Sequence, residues 1–135
     1  MGLKALTLWQ PWATLVVHGV KRYETRSWST SHRGLLAIHA AKRMVSAGEF
    51  ERFADLLAPL GYGRPEDLTR GCVLGTVEVL GVQRTPEIRD QLDERELRLG
   101  DYSNGRYAWE LGDPRVWAVP VPVRGQQGLW TVQME

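Results

Sequence analysis

Four short segments of this chain carry side chains that could recognise or transform a polar ligand. The first is Trp9-Gln10-Pro11-Trp12. Proline fits the opening position of a helix, where its missing N–H costs nothing. A helix start presents unpaired N–H groups to anions, and Trp9 beside it offers a ring on which a base can stack. Gln is a weak cap, so the Gln10 amide is expected to be free for other bonding. Trp12 heads an apolar stripe and reads as core. The second segment is Gly19-Val20-Lys21-Arg22-Tyr23-Glu24-Thr25-Arg26. In an extended chain Lys21, Tyr23 and Thr25 share one face, and Arg22, Glu24 and Arg26 the other. A turn or bulge near Tyr23 would instead join Lys21 to Glu24. The flanking guanidiniums favour the ionised form of Glu24. Lys beside a carboxylate is either structural or, when desolvated, a proton shuttle or nucleophile.

The third candidate is Glu78, in a strand whose face also carries Leu74, Thr76, Leu80 and Val82. A carboxylate among apolar neighbours is paired, lies at a cleft or faces solvent. The fourth is Tyr102-Ser103-Asn104-Gly105-Arg106-Tyr107-Ala108-Trp109. Asn-Gly signals a tight turn, and Ser103 and Arg106 flank it as phosphate donors. An ordinary hairpin is the alternative. His39 sits on a small-residue face and reads as a packed histidine. No His, Asp and Glu set has metal-ligand spacing. The single cysteine, Cys72, precludes an internal disulfide and argues against a cysteine-based zinc site. No metal and no cofactor is expected, and Cys72 is expected to be buried and inert.

The elements that must position these groups follow from periodicity. Leu3–Leu8 reads as a strand. Trp12, Leu15 and Val16 then fall at i, i+3, i+4 of a short helix that Gly19 stops. Lys21–Thr25 and Leu35–Ala41 alternate as strands, the latter with Leu36, Ile38 and Ala40 on one face and Leu35, Ala37, His39 and Ala41 on the other. Ser46–Ala58 reads as one helix, capped by Ser46 with Glu49 and ended by Pro59. Gly61–Arg70 is loop, and Cys72–Val82 is the longest strand. Residues 86–99 form a short helix with loop. Tyr107–Leu111 and Val116–Val123 are two further strands, the second placed at an edge or seam by Pro120 and Pro122. Some six strands with two or three helices predict a mixed α/β, mainly β fold: a small, partly open barrel closed by helices.

The chain has 135 residues, of which 43% are hydrophobic and 24% charged, the profile of one globular domain spanning 1–135. No apolar run approaches a membrane span. The start, Met1-Gly2-Leu3-Lys4, lacks the apolar stretch of a signal peptide, so a cytoplasmic setting is expected. The net charge of +1 hides an asymmetry. Residues 1–43 hold seven Lys/Arg and one acid, and the remainder ten Arg and fifteen Asp/Glu. Either the basic third faces an anionic partner, or basic and acidic segments pair in the fold.

Taken together, Leu8-Trp9-Gln10-Pro11-Trp12-Ala13, Gly19-Val20-Lys21-Arg22-Tyr23-Glu24-Thr25-Arg26-Ser27-Trp28 and Arg33-Gly34-Leu35-Leu36-Ala37-Ile38-His39-Ala40 resemble the ASCH domain family, of the PUA-like superfamily. Gly71-Cys72-Val73-Leu74-Gly75 and Gly125-Gln126-Gln127-Gly128-Leu129-Trp130 agree. The resemblance implies a small β-barrel with a basic cleft beside the first helix. It also implies binding of nucleic acid, RNA or single-stranded DNA. Some members look enzymatic, one branch deacetylating N4-acetylcytidine with a Lys, a Thr and a Glu, and another linked to RNA cleavage. The Lys corresponds to Lys21 and the Glu to Glu78. The Thr falls at Glu24, which removes that branch's nucleophile, so the chain is more similar to the transcription-coactivator-type branch. The reading is therefore a binding module in which Lys21, Arg26, Arg33 and Lys42 contact phosphates and Trp9, Trp28 or Tyr102 stacks a base. Gln10, Glu24 and Ser103, with Arg106, supply polar contacts. The alternative is a hydrolase of a modified nucleoside or of RNA, with Lys21, Glu24 and Glu78 at its centre.

Overall fold

The computed structural model describes residues 2–134. Six strands form one sheet: β1 (Gly2–Leu8), β2 (Tyr23–Arg26), β3 (Gly34–Ala40), β4 (Cys72–Arg84), β5 (Tyr107–Pro122) and β6 (Leu129–Gln133). Their order is β2-β5-β4-β3-β1-β6, a curled, partly open barrel. β1 and β3 run parallel, with Ala5 opposite Ala37 and Leu8 opposite Ala40. Parallel neighbours need a long crossover. Here it carries helix α1 (Trp12–Val17) and β2. α1 has six residues, too few to be stable alone. Its buried Ala13, Val16 and Val17 pack with Leu6, Leu8, Leu36, Ile38 and Trp109 in the main core.

The opposite sheet face carries a smaller core of Ala5, Ala37, Val73, Trp130 and Val132. A third cluster, Leu15, Phe50, Phe53, Leu57 and Leu99, lies under α2 (Ala47–Arg52), α3 (Ala54–Leu57) and α5 (Glu94–Leu99). The expected single helix over Ser46–Ala58 is thus two. Ser46 and Glu49 form the capping box, but Phe53, at φ −124° and ψ 14°, breaks the run. That turn buries the Phe53 ring beneath the guanidiniums of Arg52 and Arg98, 5.0 and 5.4 Å from its centroid. The charged segment after β4 supplies α4 (Thr85–Ile88) and α5, the latter capped by Asp93.

Three further expectations are corrected. Tyr107–Leu111 and Val116–Val123 are one strand, β5, that follows β4 through three register shifts. β2 covers only Tyr23–Arg26 against Tyr107–Glu110, so Pro120 and Pro122 still fall where no second strand asks for their N–H. At the first shift, between Val73 and Gly75, β4 and β5 approach closely. A Cβ on Gly75 would lie 2.0 Å from the Arg115 carbonyl oxygen, so only glycine fits there. β6, over Leu129–Gln133, was not among the expected strands. Cys72, at the start of β4, is only partly buried, at the margin of the main core.

Candidate functional site

The chain leaves β1 at Leu8 and turns into α1. Trp9 projects outward, 55% exposed, with the Arg43 guanidinium 4.1 Å from its ring centroid. Gln10 goes the other way. It is fully buried, its Oε1 accepting from the Thr14 N–H at 3.0 Å and its Nε2 donating to the Thr69 carbonyl at 2.7 Å. The expected free amide is therefore an internal one. Pro11, at the cap position, has no side-chain acceptor, and Gln10 is long enough to reach the first turn in its place.

β2 begins only at Tyr23, so Lys21 precedes the strand, and the turned arrangement holds rather than the alternating one. The Lys21 side chain is 2% exposed. Its ammonium lies 3.1 Å from Glu24 Oε1 and donates to the Tyr23 carbonyl. Glu24 Oε2 accepts from Arg26 Nε at 2.9 Å, and Arg26 Nη2 reaches the Thr7 carbonyl at 3.3 Å. One nearly buried carboxylate thus bridges two cations, in charge-assisted bonds of the strong kind.

The facing wall is the segment before β5. Asp101 Oδ1 accepts from the Ser103 amide at 3.1 Å and hydroxyl at 2.6 Å. Those bonds, with Arg106 nearby, hold the Asp101 carboxyl below its ordinary value. The Asp101 amide donates to Thr25 Oγ1 at 3.2 Å. Arg106 Nη2 donates to the Thr25 carbonyl at 3.0 Å, and its Nε lies 3.5 Å from Asp101 Oδ2. Trp9, Trp12, Glu24, Arg26, Asp101 and Arg106 surround a cleft of about 630 Å³ that Thr7 and Leu8 complete. Aromatic rings, planar guanidiniums and carboxylate acceptors in one concavity suit a flat ligand with polar edges.

The ASCH domain profile matches residues 6–120. This chain belongs to the ASCH domain family. It is 30% identical over 128 residues to Activating signal cointegrator 1 of Homo sapiens, and equally to that of Mus musculus, the match covering 93% of the chain. The chain spans about a fifth of the length of those relatives. The crystal structure of ASCH from Zymomonas mobilis superposes with a TM-score of 0.60 at 16% identity, covering 96% of this chain and 87% of that one. That likeness is one of fold.

In this ASCH domain the cleft gathers Trp9, Glu24, Arg26 and Arg106, with Lys21 beneath Glu24 and Ser103 acting through Asp101. Other candidates lie elsewhere. Trp28 packs edge-on against Trp109, ring centroids 5.0 Å apart, behind Arg26. Tyr102 is 7% exposed and packs with Ile88 and Ala108, so its ring is closed to stacking. The Arg33 guanidinium folds onto its own loop, donating to the Thr30 and His32 carbonyls at 3.0 and 2.8 Å. Glu78 pairs across to Leu35 and Gly112 in the sheet and lies outside the cleft. Lys42 borders a different cleft. Asp101 and Thr25 were missed, although Asp101-Tyr102-Ser103 has the spacing of an Asx turn. Among the described residues no cluster of His, Cys, Asp and Glu is arranged to hold a metal ion, and no helix is long and apolar enough to cross a membrane.

Proposed function

We propose that this ASCH domain binds single-stranded nucleic acid, RNA or DNA, with a base in the cleft beside α1. The observation that carries the reading is the lining itself. Half-exposed Trp9 offers a stacking ring, and Arg26 and Arg106 are already oriented by Glu24 and Asp101. Stacking on an aromatic ring is tolerant of base identity. Guanidinium donors and carboxylate acceptors at the rim would set whatever preference exists. Family membership supports the same class of ligand.

A hydrolase built on Lys21, Glu24 and Glu78 is the competing reading. The Lys21–Glu24 contact favours it. Against it, both groups are held by structural partners, and Glu78 lies apart from them. Fluorescence titration with an unstructured oligonucleotide tests binding, with tryptophan emission as reporter. Saturable binding that weakens with salt and is weaker in Trp9→Ala is expected. Salt-independent binding, or none at low salt, would overturn the proposal. Multiple turnover of N4-acetylcytidine or RNA by the wild type, absent from identically purified Lys21→Arg, would replace it with the hydrolase.

A further inference from the structure

A second concavity of about 880 Å³ lies on the other side of Thr7, over His39. Its floor is ordered by a chain of hydrogen bonds. His39 Nε2 lies 2.7 Å from the Val123 carbonyl. A carbonyl only accepts, so Nε2 carries the proton. Burial pushes His39 below its ordinary value, so the ring is neutral and Nδ1 accepts. Its partner is the Thr7 hydroxyl at 3.2 Å, which in turn accepts from the Trp130 indole N–H at 3.1 Å. Each donor in the chain meets one acceptor.

This floor pins Val123, whose N–H also donates to the Gly71 carbonyl at 3.2 Å. The next residues turn across the His39 ring. A Cβ on Gly125 would lie 2.7 Å from His39 Nδ1 and 2.8 Å from Thr7 Oγ1, so glycine is required there. The Gly-Gln-Gln-Gly segment thereby becomes a fixed wall that carries Arg124, Gln126 and Gln127, with Lys42 on the same cleft. Among the described residues none that lines it is acidic. Lys42 and Arg124 are exposed, and neither side chain has a carboxylate partner among the described residues. Arg70 adds a third cation alongside, its guanidinium donating to the Lys42 carbonyl at 2.6 Å.

We infer that this cleft is a second subsite for the same strand, taking its sugar–phosphate backbone on Lys42, Arg124, Gln126 and Gln127. The inference rests on the proposed nucleic-acid reading, because it extends the ligand of the first cleft. Thr7 lines both concavities, so a strand whose base sits by Trp9 passes directly from one to the other. Unpaired cations and amide donors with no base-stacking ring suit phosphates and sugar hydroxyls rather than base edges.

The test compares Lys42→Gln/Arg124→Gln and Trp9→Ala with wild type, using single strands of about two and about ten nucleotides. RNA and DNA of one sequence are run in parallel, since a preference for RNA would assign the amides to the 2′-hydroxyl. The double variant is expected to bind the long strand at least tenfold more weakly at low salt. Its salt slope should be shallower by about 1.4, the value for two phosphates on single strands. The short strand should bind as to wild type. Trp9→Ala should weaken both lengths. If Trp9→Ala weakens both while the double variant keeps wild-type affinity and slope for the long strand, the second subsite is overturned and the first stands. If no strand of either length binds wild type, both fall.

Discussion

On one side of Thr7, the cations beside the ligand space already have carboxylates against them: Lys21 and Arg26 share Glu24, and Arg106 faces Asp101. On the other side, Lys42 and Arg124 have none among the described residues. A basic segment is therefore not one electrostatic object. Among the seven cations of residues 1–43, Lys21, Arg22, Arg26 and Arg43 are each paired with a carboxylate in the fold. Pairing of basic with acidic segments thus accounts for those four, and an anionic partner for other cations belongs to the proposed function. Paired cations orient donors and fix geometry, whereas unpaired ones supply long-range attraction to a polyanion.

The largest effect that would sharpen this contrast is on stability. Lys21→Met leaves Glu24 nearly buried with one of its two cations gone and is expected to cost about 3 kcal/mol. Lys42→Gln and Arg124→Gln, on exposed side chains, should each stay within about 0.5 kcal/mol of wild type. Urea unfolding measures all three. Equal stability of Lys21→Met and wild type would mean that the first cleft's cations are as loosely engaged as the second's.

Next comes the wall of the second cleft. Gly125→Ala puts a methyl against His39 and Thr7 and should cost about 2 kcal/mol by overpacking. Gly48→Ala, in α2 with nothing within 4 Å of the added Cβ, should stabilise by up to about 1 kcal/mol. If Gly125→Ala is tolerated like Gly48→Ala, the loop is not held down on His39 and the second cleft has no fixed shape. Smaller still in stability is the effect of Trp9→Ala. Its loss falls on affinity, about 1–3 kcal/mol for one stacked base. Stability should drop by no more than about 1 kcal/mol for the lost Arg43 contact. The reverse pattern, normal binding with a large loss of stability, would make Trp9 a core residue and remove the stacking platform.

These contrasts also explain which features were legible in the sequence. Alternation in Leu35–Ala41 placed Leu36, Ile38 and Ala40 on one face, which is the main-core face, and Ala37 and His39 on the other, because strand geometry is a property of neighbouring residues. Ser46 with Glu49 announced a helix start for the same reason. What escaped depends on partners distant in sequence. Gln10 is tied to Thr69, Arg106 to Thr25, and His39 to Val123. No local pattern signals those pairs. The break at Phe53 was hidden because Phe50, Phe53 and Leu57 fit one helical stripe and are all buried in one cluster, so only the backbone at Phe53 departs from the helix. The candidate site was thus legible as a set of residue types, while the separation of Lys42 from the concavity beside Trp9 became visible only in three dimensions.

The smallest effect expected is a pH dependence that belongs to one cleft alone. His39 is held below its ordinary value of 6.5 by burial. Above that value both folded and unfolded chains carry a neutral ring, and its contribution to stability is fully present. As pH falls below 6.5 the unfolded chain takes up a proton that the folded chain refuses, so stability declines until the folded ring also protonates. One such proton gives a slope of at most about 1.4 kcal/mol per pH unit. His18, whose value burial also lowers beside Tyr62, adds a similar decline, so the wild-type curve alone does not identify the group. His39→Gln isolates it. The difference in stability between wild type and this variant should shrink as pH falls from about 7.5 to about 5.5, because only the wild type loses the His39 contribution. Trp9→Ala, on the other side of Thr7, should leave the wild-type slope unchanged. A difference between wild type and His39→Gln that stays constant across that range would show that His39 does not titrate with folding. The neutral-ring hydrogen-bond chain through Thr7 would then have to be abandoned as the floor of the second cleft.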